Sequence, residues 1–330
     1  MKLIALTNPD IHGEEQRLYS QDKVIIQTLK NAGHEVHHYF YDRKVLDILG
    51  KSFIFNLCDS FPDGREEYAY VGLLEQKGFS FTGCPAETVY LCQSKFRQKA
   101  VFEDNGIAHP HYQLFTSPEQ EFTLQFPVIL KPTQSNASIG IDDDSVVFNE
   151  KELRTKLAAV MEEFKEVMAE EYIDGREFCV PMMGNESPEV LNILEINYAD
   201  EYFLDKPKVL SYKAKWSRNS NAFKHTYSML AEGLNESDRK KVIDLALSAY
   251  KAMGCQGYAT ADIRMNSLGE PFILEVNPNA YIAQESDLAK AAASKGMNYE
   301  AFLGKILELA KERCGWKEEA ETAQPVEVKV

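Results

Sequence analysis

Ala259-Thr260-Ala261-Asp262-Ile263-Arg264-Met265, followed after a turn by Phe272-Ile273-Leu274-Glu275-Val276-Asn277, reads as a β-hairpin. A turn centred on Leu268-Gly269 puts Asp262 directly opposite Glu275. Side chains alternate along a strand, so Glu275 and Asn277 share one face while Phe272, Leu274 and Val276 occupy the other. Asp262, Glu275 and Asn277 then gather three oxygen donors on one patch. Opposed carboxylates repel, and a fold that keeps them usually places a cation between them. Hard oxygen donors without His or Cys point to Mg2+, which completes its shell with water and phosphate oxygens, and hence to nucleotide chemistry. The alternative is a charged hairpin facing solvent, because so short a motif also arises by chance.

Around this hairpin, a chain of 330 residues has room for two or three compact units with ample core. Its 51 acidic and 36 basic residues give a net charge of -15, which repels phosphate backbones and argues against nucleic acid as a partner. Cys58, Cys84, Cys92, Cys179, Cys255 and Cys314 show neither CxxC nor metal-ligand spacing, and sit mostly among apolar residues. They read as reduced, buried thiols of a cytoplasmic protein. The segment Met1 to Asn8 turns polar too soon for a signal peptide, and no apolar run reaches membrane-spanning length, so no membrane partner is expected.

Residues 2–7 form an apolar run suited to a buried parallel strand, followed by Val24, Ile25 and Leu29 at helical spacing and a stop at Gly33. Strands at Glu35–Tyr41 and Phe53–Leu57 continue the alternation, which predicts a doubly wound parallel sheet over residues 1–92. From 93 to 184 the pattern becomes helix 94–105, strands Val128–Leu130, Ser145–Phe148, Val167–Tyr172 and Glu177–Met182, and helix Glu150–Phe164, an α+β layer. Residues 185–314 carry strand 191–196, a polar stretch 211–228, helix 237–253, the hairpin and helix 298–313, a second α+β layer. The Glu-rich tail 315–330 is expected to be mobile.

Several segments between these elements have chemistry to offer. Lys131 ends the apolar strand Phe126 to Leu130, where an ammonium must reach solvent or meet an anion, and phosphate is a natural partner. The small-residue loop Thr133-Gln134-Ser135-Asn136-Ala137-Ser138-Ile139-Gly140 can bring backbone N–H groups close to phosphate oxygens, or be an ordinary polar turn. In Glu170-Glu171-Tyr172-Ile173-Asp174-Gly175-Arg176-Glu177, the turn can offer backbone groups of Glu171 and Ile173 to an adenine edge and Glu177 to ribose hydroxyls; alone, the acidic pair is a solvated strand end. Ser211 to Arg218, basic and aromatic within an acidic protein, suits a loop that closes over a polyphosphate. His34, His37 and His38 read as structural, Asp142-Asp143-Asp144 as a solvated turn, and Ser217, Ser220 and His225 form no nucleophile–base pattern.

In order, Lys95, Lys131 with its loop, Glu170 to Glu177, Lys215, Asp262, Glu275 and Asn277 resemble the ATP-grasp superfamily, and within it the D-alanine-D-alanine ligase-like branch. Gly83 after Phe81-Thr82, the bend from Gly106 to Pro110, and Gly296-Met297-Asn298-Tyr299-Glu300 before a helix extend the resemblance over most of the chain. The resemblance implies a three-domain fold with ATP between two α+β layers, and a homodimer packed through the first domain. Lys95 and Lys131 would meet the α- and β-phosphates, Glu170 and Ile173 the adenine, Glu177 the ribose and Lys215 the γ-phosphate. Ser138 would serve ATP from the loop, and Asp262, Glu275 and Asn277 would hold one or two Mg2+ ions, with Mn2+ able to substitute. Lys215, Arg218 and Ser138 are the catalytic candidates. The implied reaction is attack of a carboxylate on the γ-phosphorus to give an acyl phosphate, which an amine converts to an amide.

On the substrate side the chain departs from that pattern. The family's Glu-Ser-Tyr cluster falls at about Gln16, with Glu14 and Glu15 adjacent, Ala137 and Trp216. Thr260 stands where an arginine precedes the first metal carboxylate, and Arg218, Lys213 or Lys224 is a candidate replacement. Ser286 matches a serine for the second substrate's carboxylate, but Asp287 follows it where leucine is usual, suiting a cationic group. The expectation is a ligase for a small-molecule carboxylate and amine, an amino acid or peptide-like pair other than two D-alanines. The alternatives are a D-alanine-D-alanine ligase of cell-wall synthesis and an ATP-binding regulator without turnover.

Overall fold

The computed structural model describes residues 1–8, 10–12, 15–58, 67–135 and 137–317, with the backbone alone for 10–12, 15–17 and 200. Most of the expected tail, 318–330, lies outside the described residues, as does Glu14. The first sheet is four-stranded in the order Glu35–Phe40, Lys2–Thr7, Phe53–Leu57 and Ser80–Phe81. All its pairings are parallel, as the alternation of strand and helix predicts. Helix Ser20–Asn31 turns Ile25, Ile26 and Leu29 inward against Leu3, Ala5, Phe53 and Phe55. The last helix, Tyr299–Cys314, packs against helix Ser20–Asn31 and strand Ser80–Phe81 as well as the third sheet, so the end of the chain closes back on its beginning.

A second sheet runs Tyr112–Phe115, Val167–Glu171, Val128–Pro132 and Val146–Val147, all antiparallel. Helix Glu150–Met161 covers it, burying Leu153, Leu157 and Val160 over Val128, Leu130 and Val167. Asn149 starts that helix by accepting from Glu152 N at 3.0 Å. The third sheet is six-stranded: Thr226–Leu230, Leu194–Tyr198, Gly175–Gly184, Gly257–Asn266 and Pro271–Pro278, with Glu189–Val190 beside Gly175–Gly184.

This topology corrects the expected boundary at 184. Strand Gly175–Gly184, read as part of the central layer, pairs along its whole length with Gly257–Asn266 in the third sheet. The chain crosses between layers at residues 172–174, and Gly175 permits the crossing because a β-carbon there would collide with Met265 O. Helix Lys95–Asp104, also expected in the central layer, packs instead on strand Pro271–Pro278 and helix Glu236–Ala252. Both shifts bring residues from three segments to one cleft between the second and third sheets.

Among the described residues, no helix is long and apolar enough to cross a membrane. Among the described residues no disulfide forms, and every cysteine is buried except Cys314, which is partly exposed.

Candidate active site

Along Gly257–Asn266 the alternation is strict: Ala259, Ala261, Ile263 and Met265 enter the core, while Thr260, Asp262 and Arg264 take the opposite face. Asp262 lies opposite Glu275 and Thr260 opposite Asn277, the expected pairings. The register slips between Asp262 and Ile263, where Leu274 is the extra residue of a β-bulge. The bulge corrects the expected faces. Ile273 and Val276 are the core residues, whereas Leu274 lines the cleft with Glu275. Asn277 Nδ2 donates to Asp262 Oδ2 at 3.1 Å, which sets the third expected ligand beside the two carboxylates.

Burial, followed by the negative charge of Glu275, pushes the Asp262 carboxyl up to about 7. Burial would raise Glu275 too, but Lys95, Lys215 and Lys131 outweigh it and hold that carboxyl at about 2. Among the described residues no three His, Cys, Asp or Glu side chains converge on one metal position. A cation here would therefore rest on two carboxylates and the Asn277 amide. That donor set fits Mg2+, which keeps most of its water and phosphate ligands.

The lysines converge as expected. Lys95 opens helix Lys95–Asp104, whose N-terminus is capped by Ser94, and its Nζ lies 3.2 Å from Glu275 Oε2 while donating to Ser135 O in the small-residue loop. Lys131 Nζ donates to Glu170 Oε1 at 2.8 Å. Lys215, on the short helix Tyr212–Trp216, lines the same cleft. Glu170 is fully buried, so its carboxylate serves as counter-ion to Lys131 and to Lys99, whose Nζ is 2.9 Å from Glu170 Oε2. Burial opposes ionisation of Glu170, yet the two lysines hold it below the usual carboxylate range.

At the other end, Glu171, Tyr172, Ile173, Glu177, Val209 and Leu210 line the cleft. Glu177 Oε2 accepts from Arg264 Nε at 3.0 Å, Arg264 Nη2 at 2.6 Å and Tyr198 OH at 2.6 Å. Arg264 Nη1 also donates to Ile173 O at 2.9 Å and Nη2 to Lys208 O. The Ile173 carbonyl, expected at an adenine edge, is thus held by Arg264.

The remaining expected residues separate. Ser138, at φ 60°, donates from Oγ to Leu210 O at 2.7 Å and lines the cleft. Trp216 Nε1 donates to Ala137 O at 3.0 Å, tying the Lys215 helix to the same loop. Trp216 itself lines a second, adjoining cleft with Asn8, Asp22, Asn56, Tyr258 and Tyr281. Glu15 and Gln16 lie on Glu15–Arg17, a short strand paired with Asp10–His12. Thr260 is buried two residues before Asp262.

Arg218 is exposed and lines neither cleft, and Lys213 and Lys224 are exposed as well, so the structure does not bring the expected replacement cation to the site. Ser286 accepts from Ala289 N at 3.1 Å as the cap of helix Asp287–Ser294. Asp287 pairs with Lys290 at 3.1 Å in the first turn of that helix. These bonds give both residues a local structural role, and neither lines the two clefts.

Lys99 and Arg264 were not among the expected site residues. Arg264 lies two residues beyond Asp262, and strand alternation alone places it on the same face. Lys99 stands one helical turn after Lys95, which was the only available hint.

Residues 101–308 match the family model described as D-ala D-ala ligase C-terminus. The chain belongs to this ligase family. Members of the D-alanine-D-alanine ligase family among its relatives include the enzyme of that name from Carboxydothermus hydrogenoformans, 29% identical over 300 residues, covering 87% of this chain and 91% of the relative. An uncharacterized protein of Sinorhizobium fredii is 25% identical over 303 residues, covering 88% of this chain and 87% of the relative. The D-alanine-D-alanine ligase of Bacillus anthracis, solved with ATP, superposes with a TM-score of 0.75 at 24% identity, covering 95% of this chain and 98% of that one. The three-layer ATP-grasp architecture is shared, and the chain is an ATP-dependent ligase of the kind that forms a carbon–nitrogen bond.

Proposed function

We propose that the protein joins two amino-acid substrates, D-alanine with D-alanine as the pair its relatives support, through an acyl phosphate at the cleft between the second and third sheets. The observation that carries this reading is the convergence of Lys95, Lys131 and Lys215 with Asp262 and Glu275 on one cleft. Activating a carboxylate with ATP brings two anions together, and fixed cations lower that barrier most. Lys95 and Lys131 bind the α- and β-phosphates, and Lys215 draws the γ-phosphate toward the metal patch. Glu171, Ile173 and Glu177 line the adenosine end. Asp262, Glu275 and Asn277 would hold Mg2+, which would supply positive charge to offset the negative charge that develops on the phosphates. The substrate carboxylate attacks the γ-phosphorus with ADP as leaving group. The amine then attacks the acyl carbon, and phosphate departs. Loop 133–140, held to the Lys215 helix through Trp216, covers the phosphates and excludes water. The protein acts in the cytoplasm as a homodimer, following the same resemblance.

Thr260 favours a second reading, a different carboxylate and amine. It occupies the position two residues before Asp262 on the same strand face, where the family pattern calls for a cation, and Arg218 lines neither cleft. Phosphate release from Mg2+-ATP, with the product identified by mass spectrometry, separates the two. D-Alanine alone should support turnover about tenfold above any other amino acid, a difference of about 1.4 kcal/mol in transition-state binding. Silence with D-alanine and turnover with another pair would install the second reading.

A further inference from the structure

We propose that Lys99 is the positioning residue of this cleft, holding the bulged strand beneath Glu275 and, through Glu170, the phosphate lysine Lys131. The inference rests on reading the cleft as a Mg2+-ATP site. Strand Pro271–Pro278 is the edge of the third sheet, so among the described residues its outward peptide groups meet no partner strand, and the Ile273 N–H donates to Ala108 O at 2.9 Å. Two neighbouring side chains of helix Lys95–Asp104 supply partners instead. Gln98 Oε1 accepts from Val276 N at 2.7 Å, and Gln98 Nε2 donates to Val276 O at 3.2 Å, much as a neighbouring strand would. Lys99 Nζ donates to Ile273 O and Leu274 O, each at 3.1 Å, the two carbonyls at the bulge.

The same ammonium lies 2.9 Å from Glu170 Oε2 as an ion pair, so one buried charge faces two carbonyls and a carboxylate. Lys99 is 0% exposed. Burying an ammonium is costly, and an apolar side chain of similar length would avoid that cost while leaving two carbonyls and a carboxylate without this partner. What the lysine adds is a link between places that must keep their relative positions. Glu275 directly follows Leu274, so the bulge decides that Glu275 meets Asp262. Glu170 in turn holds Lys131 at 2.8 Å. Nucleotide phosphates and metal ligands are thereby referenced to one buried nitrogen.

The test is calorimetric titration of ATP, with and without Mg2+, into the wild-type protein and Lys99→Met, alongside thermal unfolding. The wild type should bind ATP more tightly with Mg2+. A wild type that binds no ATP overturns the cleft reading and the inference together. In a folded Lys99→Met, the gain in ATP affinity contributed by Mg2+ should fall by about 10- to 100-fold, the usual effect of removing a residue that supports metal ligands. A gain within twofold of wild type overturns the inference. Should Lys99→Met fail to fold, Lys99→Met/Glu170→Gln, which leaves no unpaired carboxylate, is read by the same criterion. Loss of folding in both variants makes Lys99 a purely structural residue and overturns its positioning role.

Discussion

Asp262 and Glu275 share one rung of the hairpin yet titrate far apart, Asp262 near 7 and Glu275 near 2. The lysines lie closer in effect to Glu275, leaving Asp262 to bear the burial and the repulsion. For the metal-free protein the sign follows. Asp262 has a folded pKa above its unfolded value near 3.9, so its contribution to stability is present at low pH and is lost between about pH 4 and 7. Glu275, depressed, contributes above about pH 4 and loses that contribution toward pH 2. Asp262→Asn should therefore raise the Tm of the metal-free protein at pH 8 by about 2–4 °C, the shift expected from roughly 1 kcal/mol. A lower Tm at pH 8 would show that the carboxylate is not strained there. Glu275→Ala should abolish ATP turnover with a cooperative unfolding transition retained, and unchanged turnover would remove the metal assignment. The pair was legible in sequence although its register was not: the strands leaving the turn pair Met265 with Pro271, which alone would set Asp262 against Leu274, and the bulge restores Glu275 to that place. Lys99 and Arg264 were not, because their roles come from partners more than 70 residues away, Glu170 and Glu177, which local periodicity does not report.

Among the elements, the edge strand Pro271–Pro278 and the short helix Tyr212–Trp216 decide how the cleft is assembled. Both were read from sequence as strand and closing loop, but the bulge at Leu274 was invisible because nothing in Ile273-Leu274-Glu275 departs from a strand composition. Strand Gly175–Gly184 was assigned to the wrong sheet for a related reason. Its apolar run shows that it is buried, not which sheet buries it. The Trp216 indole bond to Ala137 O predicts that Trp216→Phe, which keeps the ring but removes the donor, lowers ATP turnover by roughly 2- to 12-fold, as loss of one hydrogen bond of about 0.5–1.5 kcal/mol would. Steady-state kinetics equal to wild type would show that the loop closes without it. Helix Asp287–Ser294 offers a cleaner division of roles. Ser286→Ala should cost about 1 kcal/mol in chemical denaturation through the lost cap, while Ser286→Asn should restore stability. If Ser286→Asn recovers stability but not the KM of the second substrate, the hydroxyl also binds substrate.

Across the whole molecule, the second and third sheets enclose one cleft lined by residues from 95 to 275, and the last helix returns to the first sheet. The parallel first sheet and the order of the charged motifs were legible, since each strand–helix alternation is local and the lysines and carboxylates keep a long-range order. The substrate contacts were less so. They depend on which exposed side chains reach a cleft, and Arg218 shows that a suitable charge nearby in sequence need not line one. The central claim is that a carboxylate oxygen is transferred to phosphorus before the amide forms. It is tested by giving the enzyme Mg2+-ATP and D-alanine labelled with 18O in its carboxylate, and weighing the released phosphate. One 18O atom in each phosphate is the result expected for an acyl phosphate, with D-alanyl-D-alanine forming in equal amount. Unlabelled phosphate, released at the same rate with or without an amino acid, would contradict it.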